Sequence, residues 1–179
     1  MASDKYYQMI LILIYTGLRI EKFLQLKKED VHLDEKYINV VKSKTPNGIR
    51  KVPISKYIYP FVKSWYESSE IDYVFHTDKQ KRFRYSNYYV SYFTPIMELY
   101  GLEQTPHCCR HTFVPLLAEA NISKTFNKLI VGHKEAMDIN EKVYTHIDIN
   151  LSLIHIFWNS TIFNILKYSL MKISNIIII

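Results

Sequence analysis

Six residues carry the chemistry that this chain can offer: Arg19, Lys44, His107, Arg110, His133 and Tyr144. Together they suit nucleophilic displacement at a phosphodiester. That reaction needs an acceptor side chain, cations around the phosphate and a proton for the departing oxygen. A tyrosine with its phenol pKa near 10 is a poor nucleophile unless a base and a strongly electropositive site assist it. His107, Arg19 and Arg110 can supply both. Two arginines fork onto the non-bridging oxygens of one phosphate better than point-charge lysines do, and lysine suits proton donation. Taken singly, each residue has an ordinary explanation. The chain holds fifteen tyrosines, so one tyrosine alone reads as packing, and a histidine beside a helix start reads as a cap.

These residues need elements to hold them. Ser3 or Asp4 can cap a helix reaching about Thr16, on which Met9, Ile10, Leu13 and Ile14 recur at the spacing of one buried face. Gly17 interrupts it, and a short second helix from about Arg19 carries Phe23, Leu24 and Leu26 inward. Arg19 therefore sits where two helices meet. Tyr37–Val41 and Ile49–Ile54 read as strands, and Lys42 to Gly48 between them contains Pro46 and the turn signal Asn47-Gly48. The result is a basic hairpin bearing Lys42, Lys44 and Lys51.

Further along, Ser55 to about Ser68 reads as an amphipathic helix with Pro60 near its start, and Tyr73–Phe75 as a brief strand. Lys79 to Tyr85 mixes cations with aromatics, and Lys81, Arg82 and Arg84 suit secondary contacts to phosphate. Ser86 caps a helix to about Tyr100, kinked near Pro95 and stopped at Gly101. Cys108 to Ala120 forms another helix with Phe113, Leu116 and Leu117 on its buried side, and Ser123 starts a last one that ends before Gly132. The expected fold is mainly α with a small antiparallel β-hairpin or sheet.

Composition sets the outer limits. A chain of 179 residues with 48% hydrophobic and 22% charged residues is sized for one folded domain with a core and excludes wholesale disorder. The net charge of +6 permits a polyanionic partner without demanding one. Cys108 and Cys109 are adjacent and are the only cysteines, which supports neither a disulfide framework nor a zinc knuckle and fits a reducing, cytoplasmic setting. The apolar run Met9–Tyr15 is too short to span a membrane.

Thr16-Gly17-Leu18-Arg19, the Lys44 hairpin, His107-x-x-Arg110-His111, Gly132-His133 and Tyr144-Thr145-His146 occur in one order over roughly residues 6–149. In this the sequence resembles the catalytic domain of the tyrosine recombinases, the lambda-integrase-like integrases of phages and conjugative transposons. The resemblance implies that Tyr144 forms a 3′-phosphotyrosyl link while Arg19 and Arg110 clamp the phosphate. It makes Lys44 the proton donor to the leaving 5′ oxygen, with Lys42 and Lys51 next in line. His107 becomes the acid/base partner of the tyrosine, His133 a hydrogen-bond partner of the scissile phosphate and His111 a structural support. No metal or other cofactor is implied. The implied partners are double-stranded recombination sites, further copies of the chain in a homotetramer on DNA, and accessory directionality factors, in a bacterial or mobile-element setting.

Three features depart from that pattern. Lys22 stands three positions after Arg19, where the family usually has an acid, and Glu21 lies one residue earlier. Pro115 falls within the helix that follows Arg110. The chain begins just before the first arginine motif, so the expectation is a catalytic domain over 1–150 without the family's N-terminal core-binding domain. Residues 151–179 contain no Asp, Glu, Gly, Pro, Ala or Val, and nine of them are Ile. The expectation from that bias, with Leu151–Ile156 resembling a translated sequencing adapter, is an apolar tail of artefactual origin; the alternative is a genuine apolar helix or weakly membrane-associated segment, with Lys167 and Lys172 against a clean span. Two alternatives stand beside site-specific recombination: a truncated remnant that binds DNA without catalysis, and a type IB topoisomerase-like enzyme.

Overall fold

The computed structural model describes residues 3–41 and 50–119. Helix α1 spans Ser3–Thr16. Met9, Ile12, Leu13 and Thr16 on its inner face are fully buried, the spacing of a single helical stripe. Thr16 is tolerated there because its hydroxyl donates to the Ile12 carbonyl at 2.6 Å. A sharp turn leads to α2, Ile20–Phe23, and Phe23, Leu24 and Leu26 point inward as expected.

A short 3-10 turn, Lys28–Asp30, feeds a three-stranded antiparallel sheet: β1 is Val31–His32, β2 Tyr37–Val40 and β3 Arg50–Pro53, in the order β1-β2-β3. The hairpin is present, and β1 adds a strand that the sequence does not advertise. At two residues it is too short for alternation to register. Ile38 pairs with Val52 and Val40 with Arg50. Directly opposed residues share a face, and Ile38, Val40 and Val52 are all buried. That face of the sheet is the one turned to the core.

Helix α3 covers Tyr59–Ser68, with Pro60 in its first turn. The helix starts four residues later than the amphipathic pattern implies. Proline there costs nothing because the N–H it lacks would have no helical partner. The expected strand at Tyr73–Phe75 is instead one isolated bridge, Lys27 to Tyr73, followed by the Val74 amide donating to the Leu26 carbonyl at 2.9 Å. Val74 and Phe75 are nonetheless buried, and Phe75 stacks on Phe23 with ring centroids 4.0 Å apart. Hydrophobicity, not sheet pairing, accounts for that run.

The helix expected over Ser86–Tyr100 is divided in three: α4 is Tyr85–Tyr88, Tyr89–Phe93 is π-helical, and α5 is Thr94–Leu99. The widened turn lies immediately before Pro95, whose ring would clash with the carbonyl four residues back in a regular helix. The irregularity near Pro95 takes the form of this π-helical turn. Helix α6, Pro106–Glu119, starts two residues earlier than expected with Pro106 at its first position, and runs on through Pro115. It packs along α1, which also meets the π-helical turn and α3. No helix among the described residues is long and apolar enough to cross a membrane. The expected helix from Ser123 and the tail after Asn150 lie outside the described residues.

Candidate active site

The centre of the site is the turn between α1 and α2. Gly17 closes α1 in a left-handed conformation, φ +58°, and its amide donates to the Leu13 carbonyl at 3.0 Å. Only glycine fits here, because a Cβ at this position would fall within the ring of Phe113 on α6. Two residues on, Arg19 caps α2 with an extended backbone and accepts the Lys22 and Phe23 amides at its carbonyl. Its side chain is exposed.

Arg110 reaches the same turn from α6. Its Nη1 donates to the Gly17 carbonyl at 2.6 Å, and only 6% of the residue is exposed. A guanidinium is seldom buried so deeply without a built environment. Burial pushes its pKa down to about 10, and the charge on Arg19 adds to the effect. Cys109 beside it is buried, which pushes its thiol up to about 12, so it is a packing residue and not a nucleophile.

A third arginine, absent from the sequence expectations, belongs to this group. Arg50 at the head of β3 is half-buried, its pKa pushed down to about 10 by burial, then by Arg110 and then by Arg19. One signal in the sequence could have found it. Arg50 shares its parity in the strand with Val52 and Ile54, both buried, whereas Lys51 has the opposite parity and is exposed.

His107 and His111 are exposed on α6, their rings 4.5 Å apart and perpendicular. His107 lies one turn before Arg110, on the approach to the arginine group. Lys22 is half-buried and lines a depression of about 110 Å³ with Leu18, Gln25, Asn39 and Val40, while Glu21 is exposed. Lys51 sits over the Tyr37 ring at 4.5 Å on the outer face of the sheet. Lys81, Arg82 and Arg84 are exposed. Arg82 lies over Tyr73, its Cζ 4.9 Å from the ring centre and its Nη1 3.4 Å from the hydroxyl. Lys42, Lys44, His133 and Tyr144 lie outside the described residues.

The structure thus brings Arg110 to the turn that precedes Arg19, places His107 one turn away on the same helix as Arg110, and keeps the Lys81–Arg84 cations in a separate exposed segment. A desolvated guanidinium close enough to a second one to feel its charge is the kind of arrangement that suits an oxyanion. Among the described residues no group of three His, Cys, Asp or Glu is placed to hold a metal ion.

Comparison with known proteins shows the family. Residues 2–150 match the family described as the phage integrase family. A tyrosine recombinase XerA of Thermococcus kodakarensis is 31% identical over 150 residues, covering 79% of this chain and 51% of the relative. Among solved structures, the Tn1549 transposon integrase in complex with circular intermediate DNA superposes with a TM-score of 0.64 at 22% identity, covering 86% of this chain and 57% of the other. The XerA recombinase gives 0.60 at 24% identity, covering 86% and 62%. The chain spans about half the length of the curated relatives it matches.

Proposed function

Because this chain belongs to the phage integrase family, we propose that it cuts and rejoins DNA strands at specific sites through a tyrosyl intermediate. The observation that carries the reading is the buried Arg110, fixed to the Gly17 carbonyl beside Arg19. Water-excluded cations that need no rearrangement are what a phosphoryl transition state uses.

In this reading the Tyr144 oxygen attacks the scissile phosphorus. The tyrosyl oxygen–phosphorus bond forms as the bond from phosphorus to the 5′ oxygen breaks, and Lys44 delivers the proton to that oxygen. His107 serves as acid/base partner of the tyrosine and His133 hydrogen-bonds the phosphate. Religation is the reverse, a 5′ hydroxyl displacing Tyr144, so no cofactor enters. Lys42, Lys51, Lys81, Arg82 and Arg84 add contacts to the DNA backbone. The catalytic unit covers residues 1–150, with 151–179 a tail of different origin. The working assembly is a tetramer on two DNA sites, with an accessory factor setting direction.

A nicked suicide duplex tests this. The chain should become covalently attached to the strand that carries the scissile phosphate, and Tyr144→Phe should abolish attachment. Binding without any covalent product would favour the inactive remnant instead. Lys22, in place of an acid near Arg19, is the feature that favours that second reading.

A further inference from the structure

Two histidines share one stripe of α6. His107 and His111 are four residues apart, the spacing that puts side chains one above the other on a helix. Both are exposed, and their rings meet edge to face with centroids 4.5 Å apart. Neither joins an ion pair among the described residues.

Neutral imidazoles at this spacing on a helix can chelate a transition metal. An ion about 2.1 Å from one nitrogen of each ring holds the ring centres roughly 5 Å apart, close to the separation seen here. Histidine rings turn readily about their last torsion, so exposed ones can each aim a nitrogen at a shared ion without moving the backbone. The residues between them in sequence do not crowd that place. Arg110 is turned inward to the Gly17 carbonyl, and Cys108 has its Sγ 3.5 Å from the Thr105 hydroxyl oxygen and lines a separate apolar cavity with Ile96 and Met97. Two nitrogen ligands with the remaining positions left to water suit Ni²⁺, Cu²⁺ or Zn²⁺, whereas Mg²⁺ asks for oxygen.

We propose that His107 and His111 form a two-imidazole site that takes a divalent transition-metal ion and, while occupied, keeps His107 from serving Tyr144. The site is a reversible brake and not a cofactor site. With one nitrogen coordinated and the other protonated, the His107 ring has no lone pair left to accept a proton. The inhibition rests on the reading of His107 as acid/base partner of the tyrosine; the binding rests on α6 alone.

The test uses the full chain and Ni²⁺ as the probe. Calorimetry should show a Ni²⁺ site that His107→Ala and His111→Ala each remove and that His32→Ala leaves in place. In single-turnover attachment to a nicked suicide duplex, saturating Ni²⁺ should slow the reaction roughly 10²-fold or more, Mg²⁺ at the same concentration should not, and a chelator should restore the rate. His111→Ala should raise the half-inhibitory Ni²⁺ concentration about tenfold or more, whatever its rate without metal. Binding heats unchanged in both single variants, or an unshifted half-inhibitory concentration, would overturn the site while leaving the strand-transfer reading intact. Binding without slowing would overturn the brake. Failure of the unmodified, metal-free chain to attach would overturn the strand-transfer reading and the brake with it, and calorimetry would still decide whether the two histidines hold the ion.

Discussion

Arg110 and Arg82 carry the same guanidinium in opposite surroundings. Arg110 is enclosed by α6 and the α1–α2 turn, donates to a main-chain carbonyl and holds its proton less tightly than a free arginine. Arg82 is exposed and lies against the ring of Tyr73. The difference teaches how one chain can separate two tasks that need the same charge. A desolvated, fixed cation acts strongly on whatever charge appears beside it, whereas an exposed one is screened by salt and mainly raises the concentration of a polyanion nearby.

Removing Arg110 should have the largest effect. Arg110→Ala is expected to lower the single-turnover rate of covalent attachment by roughly 10²- to 10³-fold, and Arg110→Lys should recover little because a point charge cannot reproduce the fork. Rates at saturating duplex are the measurement. If Arg82→Ala lost as much, the division between the two arginines would collapse.

The next effect is on stability. Gly17→Ala places a methyl group into the Phe113 ring at a left-handed backbone position, and should cost about 2–4 kcal/mol. A urea midpoint would report it, and Phe113→Leu in the same background should return part of the loss by vacating space. This sharpens the comparison by asking whether the surroundings of Arg110, and not only its charge, are under constraint.

The smallest effect belongs to the exposed segment. Arg82→Ala should weaken DNA binding a few-fold and reduce the slope of log affinity against log salt by about 1. The rate at saturating duplex should stay within about twofold of the starting chain. A salt slope that does not change would remove Arg82 from the DNA contacts altogether.

Much of the scaffold was legible because single stripes and single signals specified it. Met9 and Leu13 recur at helical spacing and are fully buried, and Gly17 marks a turn that it alone can make. Arg19 and Arg110 were found through the order of motifs, since nothing in local periodicity says that residues so far apart meet. Other features depend on partners that no local pattern contains. Strand β1 exists because Val31 and His32 find Ile38 and Tyr37. Tyr73–Phe75 has strand-like composition, yet its burial comes from aromatic packing against Phe23. Arg50 went unnoticed because a charged residue in a basic hairpin reads as solvated, although its parity with Val52 and Ile54 pointed inward.

The hydrogen bond from Arg110 to Gly17 has one more consequence. The Gly17 carbonyl stands at the C-terminal end of α1, where aligned peptide dipoles leave partial negative charge. Arg110 therefore serves as an electrostatic cap for a helix distant from it in sequence. The end of α1 and the position of the Arg110 guanidinium are tied to each other through one hydrogen bond. Fraying the last turn of α1 would remove that carbonyl from the reach of Arg110.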